Sequence, residues 1–192
     1  LANKLNGIGF TGSNLNTTEI KEFINLVLNK WGRVDVLINS AGHGPKGKIL
    51  EITDKEWYLG METYFLNVVR ASRLITPIMK KQKKGSIINI STYAVFEPEK
   101  SFPTSGIMRA SLSAFTKIYA DEHAKFNIRM NNVLPGFIDS LKPKKEFLKR
   151  IPLKRLGKVK EISAVIKLLA SEDGAYITGQ NIRVDGGITR SI

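Results

Sequence analysis

The chain has 192 residues, 42% hydrophobic and 24% charged, enough for one domain with its own core. It contains no cysteine, which excludes disulfides and thiolate chemistry, and no apolar run approaches the roughly 20 residues needed to span a bilayer. Both features fit a cytoplasmic protein, and the formal net charge of +13 leaves two readings open, an anionic partner or a solvated lysine-rich face.

In chain order, GIGFTG (Gly7–Gly12) reads as a short strand. In TTEIKEFINLVLNKWG the apolar residues Ile20, Phe23, Ile24, Val27 and Leu28 recur at helical spacing, with Thr17 or Thr18 as cap and Gly32 as stop. VDVLINS is a nearly continuous apolar run, the pattern of a strand covered on both faces. Thr53–Gln82 opens on a Thr-x-x-Glu start and reads as one long helix. GSIINIS is a second buried strand, Ser105 to about His123 a helix, and NIRMNNVLPG a strand ending in Pro-Gly. VKEISAVIKLLAS then reads as a helix and QNIRVDGG as a last strand. Strands alternating with helices predict an α/β fold, a single domain over residues 1–192 with a parallel sheet covered on both faces. The longest irregular segment, Phe137–Gly157, is a candidate lid.

The charge is concentrated. Lys80, Lys81, Lys83 and Lys84 form one cluster, and Lys142, Lys144, Lys145, Lys149, Arg150, Lys154, Arg155, Lys158 and Lys160 a second. Neither is interleaved with the aromatics that single-strand binding uses, so nucleic acid ranks behind an anionic small molecule or acidic carrier protein. The acidic residues lack ligand spacing, and no metal site is read.

Four stretches in this order and spacing carry a resemblance: LINSAG (Leu37–Gly42), GSIINIST, IRMNNVLPGFIDS and ASEDGAYITGQNIRVDGG. Together they resemble the short-chain dehydrogenase/reductase family, specifically its 3-oxoacyl-acyl-carrier-protein reductase-like members, over essentially the whole chain. The resemblance implies a Rossmann-like, doubly wound sheet whose ligands lie beyond the carboxyl ends of the strands. It implies NAD or NADP as cofactor and a carbonyl or alcohol substrate, possible also as a carrier-linked acyl thioester. Asn39, Ala41 and Gly42 would face the adenosine ribose, Pro135 and Gly136 would follow another strand end, the Ile138 backbone would meet the nicotinamide carboxamide, and Ser140 would lie near the phosphates. A homodimer or homotetramer paired through the two long helices is implied too. The family's opening strand, Gly-rich turn and helix do not appear from Leu1 onward, so about 50 to 60 further residues are expected upstream, judged from a typical domain of this class. The choice between NAD and NADP would lie in that part.

The family's catalytic pattern is altered. Its usual serine-to-tyrosine gap is matched by Thr92 and Ser105, and its lysine position by Arg109 four residues on, on the same helix face. Thr92 keeps a hydroxyl. A serine hydroxyl at 105 is a far weaker acid than a phenol. Arg109 keeps the charge in a broader, planar group. At the family's asparagine position, alignment through Trp57, Arg73, Pro77 and Met79 places Tyr64, with Asn67 about one turn later. The expectation is that Tyr64 reaches into the space left by Ser105 and takes over proton donation with help from Arg109. Its alternative is that Tyr64 is packing in a non-catalytic relative that keeps the fold for binding or assembly. His43 after NSAG reads as a surface or packing residue, Tyr93 as a loop aromatic, and His123 as a helix-end cation.

Overall fold

The structure, a computed structural model, describes residues 2–140 and 145–191. Helix α1 spans Thr17–Trp31. Its cap is Asn16 rather than Thr17 or Thr18: the Asn16 Oδ1 accepts the N–H of Thr18 at 2.9 Å, while Thr17 already lies inside the helix. Gly32 ends it at φ 70°, a left-handed conformation natural to glycine. Gly7–Gly12 is not a strand. It runs as an irregular, largely exposed segment whose Phe10 stacks on Phe23 of α1 instead of joining the sheet.

Strand β1 (Val36–Ser40) leads to α2 (Asp54–Met61), which starts on a reciprocal capping box. Glu56 N–H donates to the Thr53 hydroxyl at 3.3 Å, and Thr53 N–H donates to Glu56 Oε2 at 2.9 Å. The long helix expected from Thr53 to Gln82 keeps its path but not its pitch. A π-helical segment, Glu62–Leu66, separates α2 from α3 (Asn67–Gln82). Next come β2 (Gly85–Ile90) and α4 (Pro103–His123), which begins two residues before Ser105 because proline suits the first helical turn. Strand β3 (Ile128–Pro135), α5 (Lys145–Arg150), α6 (Val159–Ala170) and β4 (Asn181–Val184) complete the described chain.

The four strands pair in parallel in the order β1-β2-β3-β4, the doubly wound α/β arrangement expected. Alternate side chains leave opposite faces. On one face Ile87 and Met130 pack against Ile24 of α1, Ile75 and Met79 of α3 and Tyr119 of α4. On the other, Ile88 and Val133 meet Ile162 and Leu169 of α6.

The α4 face also carries a polar row. Asn39, Asn89, Asn132 and Asn181 stand in register, one on each strand. Asn39 Nδ2 donates to Asn89 Oδ1 at 2.8 Å, Asn89 Nδ2 to Asn132 Oδ1 at 2.9 Å, and Asn132 Nδ2 to Asn181 Oδ1 at 2.8 Å. Thr116 of α4 donates to Asn132 Oδ1 at 3.0 Å, fastening the helix to the ladder. Asn89 and Asn132 are fully buried, so these bonds satisfy amides that water cannot reach.

The segment expected to be irregular contains α5. Phe137 stacks on Phe147 with ring centroids 3.9 Å apart, and Arg150 pairs with Glu99 across the gap to the loop before α4. Residues 141–144 of the candidate lid, with Lys142 and Lys144 of the second basic cluster, lie outside the described residues.

Candidate active site

The π-helical segment places Tyr64 against α4. Its side chain is buried, and the Arg109 guanidinium lies 4.2 Å from its ring centroid. Arg109 Nη1 donates to the Ser105 hydroxyl, as the i, i+4 spacing allows. The structure therefore brings Tyr64, Ser105 and Arg109 into one cluster. Asn67, the other residue suited by type, turns its Oδ1 to the N–H of Val68 at 2.7 Å.

The Tyr64 hydroxyl accepts the backbone N–H of Gly44, in the loop after β1. Sequence reasoning missed Gly44, although its place just after the NSAG turn was a signal. A Cβ there would stand 2.7 Å from Tyr64 Cε2 and 3.0 Å from the hydroxyl, so only glycine lets the phenol sit against this backbone. The loop is also held from α4: buried Thr104 donates to the Pro45 carbonyl at 2.7 Å. Tyr64 makes no donation through its own O–H among the described residues.

Arg109 is 9% exposed and meets no carboxylate among the described residues. Burial lowers its pKa below the ordinary guanidinium range, and Tyr64 opposes that shift. Thr92 is half-buried at the carboxyl end of β2, where its Oγ1 accepts the Ala94 N–H at 3.3 Å. That leaves the hydroxyl proton of Thr92 free to donate. Beside it the buried Ser91 hydroxyl has no partner among the described residues, a further donor that the sequence did not single out.

The remaining expected residues separate. Ala41 and Gly42 follow β1, and Gly42 is exposed with open space where a Cβ would stand. Asn39 turns its amide into the ladder. Pro135 ends β3, and Gly136 lies so close to Asp185 that a Cβ would stand 2.8 Å from its Cα. Ile138 forms a bridge with Gly157, and Ser140 is exposed. The open turn at Gly42 and the half-buried hydroxyl of Thr92 fit a ligand rich in ribose and amide groups at these strand ends.

Tyr93 is a core aromatic rather than a loop one. It packs edge-on to Phe137, and its hydroxyl donates to Glu99 at 2.8 Å. Burial, then Glu99, pushes its phenol well above the ordinary range, which suits a structural donor. His43 is exposed, and the His123 ring stacks on Tyr119. A cleft of about 750 Å³ is lined by Ile49, Ala94, Val95, Pro103, Ile107 and Ala110, on a different face of α4 from Ser105 and Arg109. No group of metal-ligating residues occurs, and no helix is long and apolar enough to cross a membrane, among the described residues.

A family model described as Enoyl-(Acyl carrier protein) reductase matches residues 15–189. A 3-oxoacyl-[acyl-carrier-protein] reductase of Thermotoga maritima is 35% identical over 184 residues, covering 91% of this chain and 75% of that protein. A Synechocystis reductase of the same name is 32% identical, covering 98% of this chain and 78% of its own. A 7alpha-hydroxysteroid dehydrogenase of Paraclostridium sordellii is 35% identical, covering 87% and 67%. The solved structure of YwfH, described as an NADPH-dependent reductase involved in bacilysin biosynthesis, superposes with a TM-score of 0.87 at 28% identity, covering 94% of this chain and 77% of its own. With the parallel sheet and the ordered motifs already in place, these similarities show that the chain belongs to the short-chain dehydrogenase/reductase family of oxidoreductases, among its 3-oxoacyl-acyl-carrier-protein reductase-like members.

Proposed function

We propose that the protein is a nicotinamide-dependent oxidoreductase that reduces a carbonyl group, or oxidises the matching alcohol, with Tyr64 as its proton donor. One observation carries this reading. A buried phenol with no acceptor for its proton among the described residues is held by the Gly44 N–H and lies beside the Arg109 cation, in the cluster that contains Ser105. A serine hydroxyl is too weak an acid to supply that proton, whereas a phenol is suited to it.

NAD or NADP, when bound at the strand ends, supplies the hydride. The open turn at Ala41 and Gly42 receives the adenosine ribose, together with the backbone of Asn39. Pro135, Gly136 and Ile138 border the nicotinamide, Ser140 the phosphates, and Arg109 the second ribose. Thr92 donates its free hydroxyl proton to the substrate carbonyl and orients it toward Tyr64. Acyl thioesters on a carrier protein are the substrates named for the reductase relatives, and they belong in the substrate panel beside free ketones and keto acids. A cytoplasmic location is part of the same proposal, supported by the lack of cysteine in the chain.

Steady-state oxidation of NADPH and of NADH by the full chain, against a panel of ketones, keto acids and acyl thioesters, tests it. Carbonyl-dependent cofactor oxidation is expected with at least one class. Saturable cofactor binding without turnover of any class would turn the reading toward binding or assembly.

We also propose that the protein assembles as a homodimer or homotetramer. Ile107 and Ile118 of α4 and Tyr58 and Leu59 of α2 are exposed, and the apolar cleft beside Ile107 offers a second copy a surface to fill. Sedimentation at micromolar concentration should give a dimer or larger. Only monomer would contradict it.

A further inference from the structure

We infer that Arg109 is the receptor for a carboxylate carried by the substrate next to its reacting carbonyl, so that the preferred substrates are short oxo acids rather than esters or thioesters. The inference rests on the oxidoreductase reading of the same site and narrows its substrate class.

A guanidinium taken out of water loses its hydration, and an interior normally returns that energy through a paired anion. Arg109 is more than nine-tenths buried and has no such anion among the described residues. Its contacts are the Ser105 hydroxyl and Tyr64, neither of them a carboxylate. Stacking on Tyr64 offsets part of the cost. Among the described residues two hydroxyls occupy at most two of the five guanidinium N–H donors, which leaves at least three for a ligand.

Ribose hydroxyls can accept from those donors but bring no charge. The phosphates of a carrier's prosthetic arm do bring charge, but they are separated from the reacting thioester by the length of the arm. A carboxylate one or two carbons from the ketone brings both its charge and a planar pair of oxygens to the planar guanidinium fork. Such a group at Arg109 also sets the neighbouring carbonyl against the Tyr64 phenol, because Arg109 and Tyr64 are in contact. An ammonium would serve a ribose equally well. The arginine gains its advantage on a carboxylate.

The test compares 2-oxobutanoate and 3-oxobutanoate with their methyl esters and with 3-oxobutanoyl-N-acetylcysteamine, using the full chain and NADPH. The readout is the acid-to-ester ratio of kcat/KM, which cancels any loss that Arg109 substitution causes in proton transfer or ribose binding. In the wild type the ratio should be about 10² in favour of the acid, as for a buried charge pair. It should fall to near 1 in Arg109→Gln, and Arg109→Lys should keep part of it. Calorimetric titration of 3-oxobutanoate into each variant provides a second readout, with binding lost in Arg109→Gln. Preference for the ester or thioester would overturn the inference while leaving the oxidoreductase reading intact. So would a change confined to the NADPH dissociation constant with an unaltered ratio, which would assign Arg109 to a cofactor phosphate. Arg109-dependent binding of the acid without turnover of any carbonyl would sustain the inference and remove the oxidoreductase reading.

Discussion

Tyr64→Phe should lower kcat by about 10²–10⁴ while leaving the NADPH dissociation constant within a few-fold, the range expected when a general acid is removed. The substitution deletes one oxygen and keeps the ring, so the stacking of Arg109 and the packing of α2 and α3 on α4 persist. What disappears is the O–H held by the Gly44 N–H. Because the loop around Gly44 is tied independently through Thr104 and Pro45, its position should survive the loss. A similar fall in kcat and in protein stability would instead assign Tyr64 to packing. Full turnover in Tyr64→Phe would remove it from the chemistry.

The second large effect is on stability. Asn132→Leu should destabilise the fold by about 3 kcal/mol or more, since each orphaned buried donor or acceptor costs about 1–3 kcal/mol. Leucine fits the volume closely but offers no partner to three groups. The Thr116 hydroxyl and the Asn181 carbonyl oxygen would each lose a bond, and the Asn89 amide would keep only its 3.4 Å donation to the Thr116 hydroxyl. Asn89 and Thr116 sit where water cannot replace the lost bonds. Urea denaturation of the variant should show a lowered midpoint with little change in slope. A loss below about 1 kcal/mol would mean that the ladder contributes little beyond its geometry.

The sequence made much of the framework legible, because the signals there are local. VDVLINS and GSIINIS are apolar runs of strand length and both became strands, but only GSIINIS is covered on both faces, because β1 lies at the edge of the described sheet and leaves Ile38 50% exposed. Thr53 and Glu56 carry a capping box within four residues. Ser105 and Arg109 share a helix face by spacing alone, and they are in contact. What escaped depends on distance in sequence. Asn39, Asn89, Asn132 and Asn181 look like separate polar interruptions until strand register aligns them. The π-helical turn at Glu62–Leu66 has no residue pattern that marks it, yet it lies where Tyr64 meets Arg109. Gly44 looks like an ordinary loop glycine, and only the approach of the phenol shows why a side chain would not fit. The Gly7–Gly12 strand failed for the opposite reason, since its short-range pattern was extended but its Phe10 packs on Phe23 of α1 rather than in a sheet.

The central claim, that proton donation has moved from position 105 to position 64, is tested most directly by single-turnover reduction of one accepted carbonyl at saturating NADPH, comparing Ser105→Ala with Tyr64→Phe. Ser105→Ala removes only a hydroxyl that accepts from Arg109, so its rate should stay within about tenfold of the wild type, while Tyr64→Phe falls by about 10²–10⁴. A Ser105→Ala rate equal to or below that of Tyr64→Phe would contradict the account.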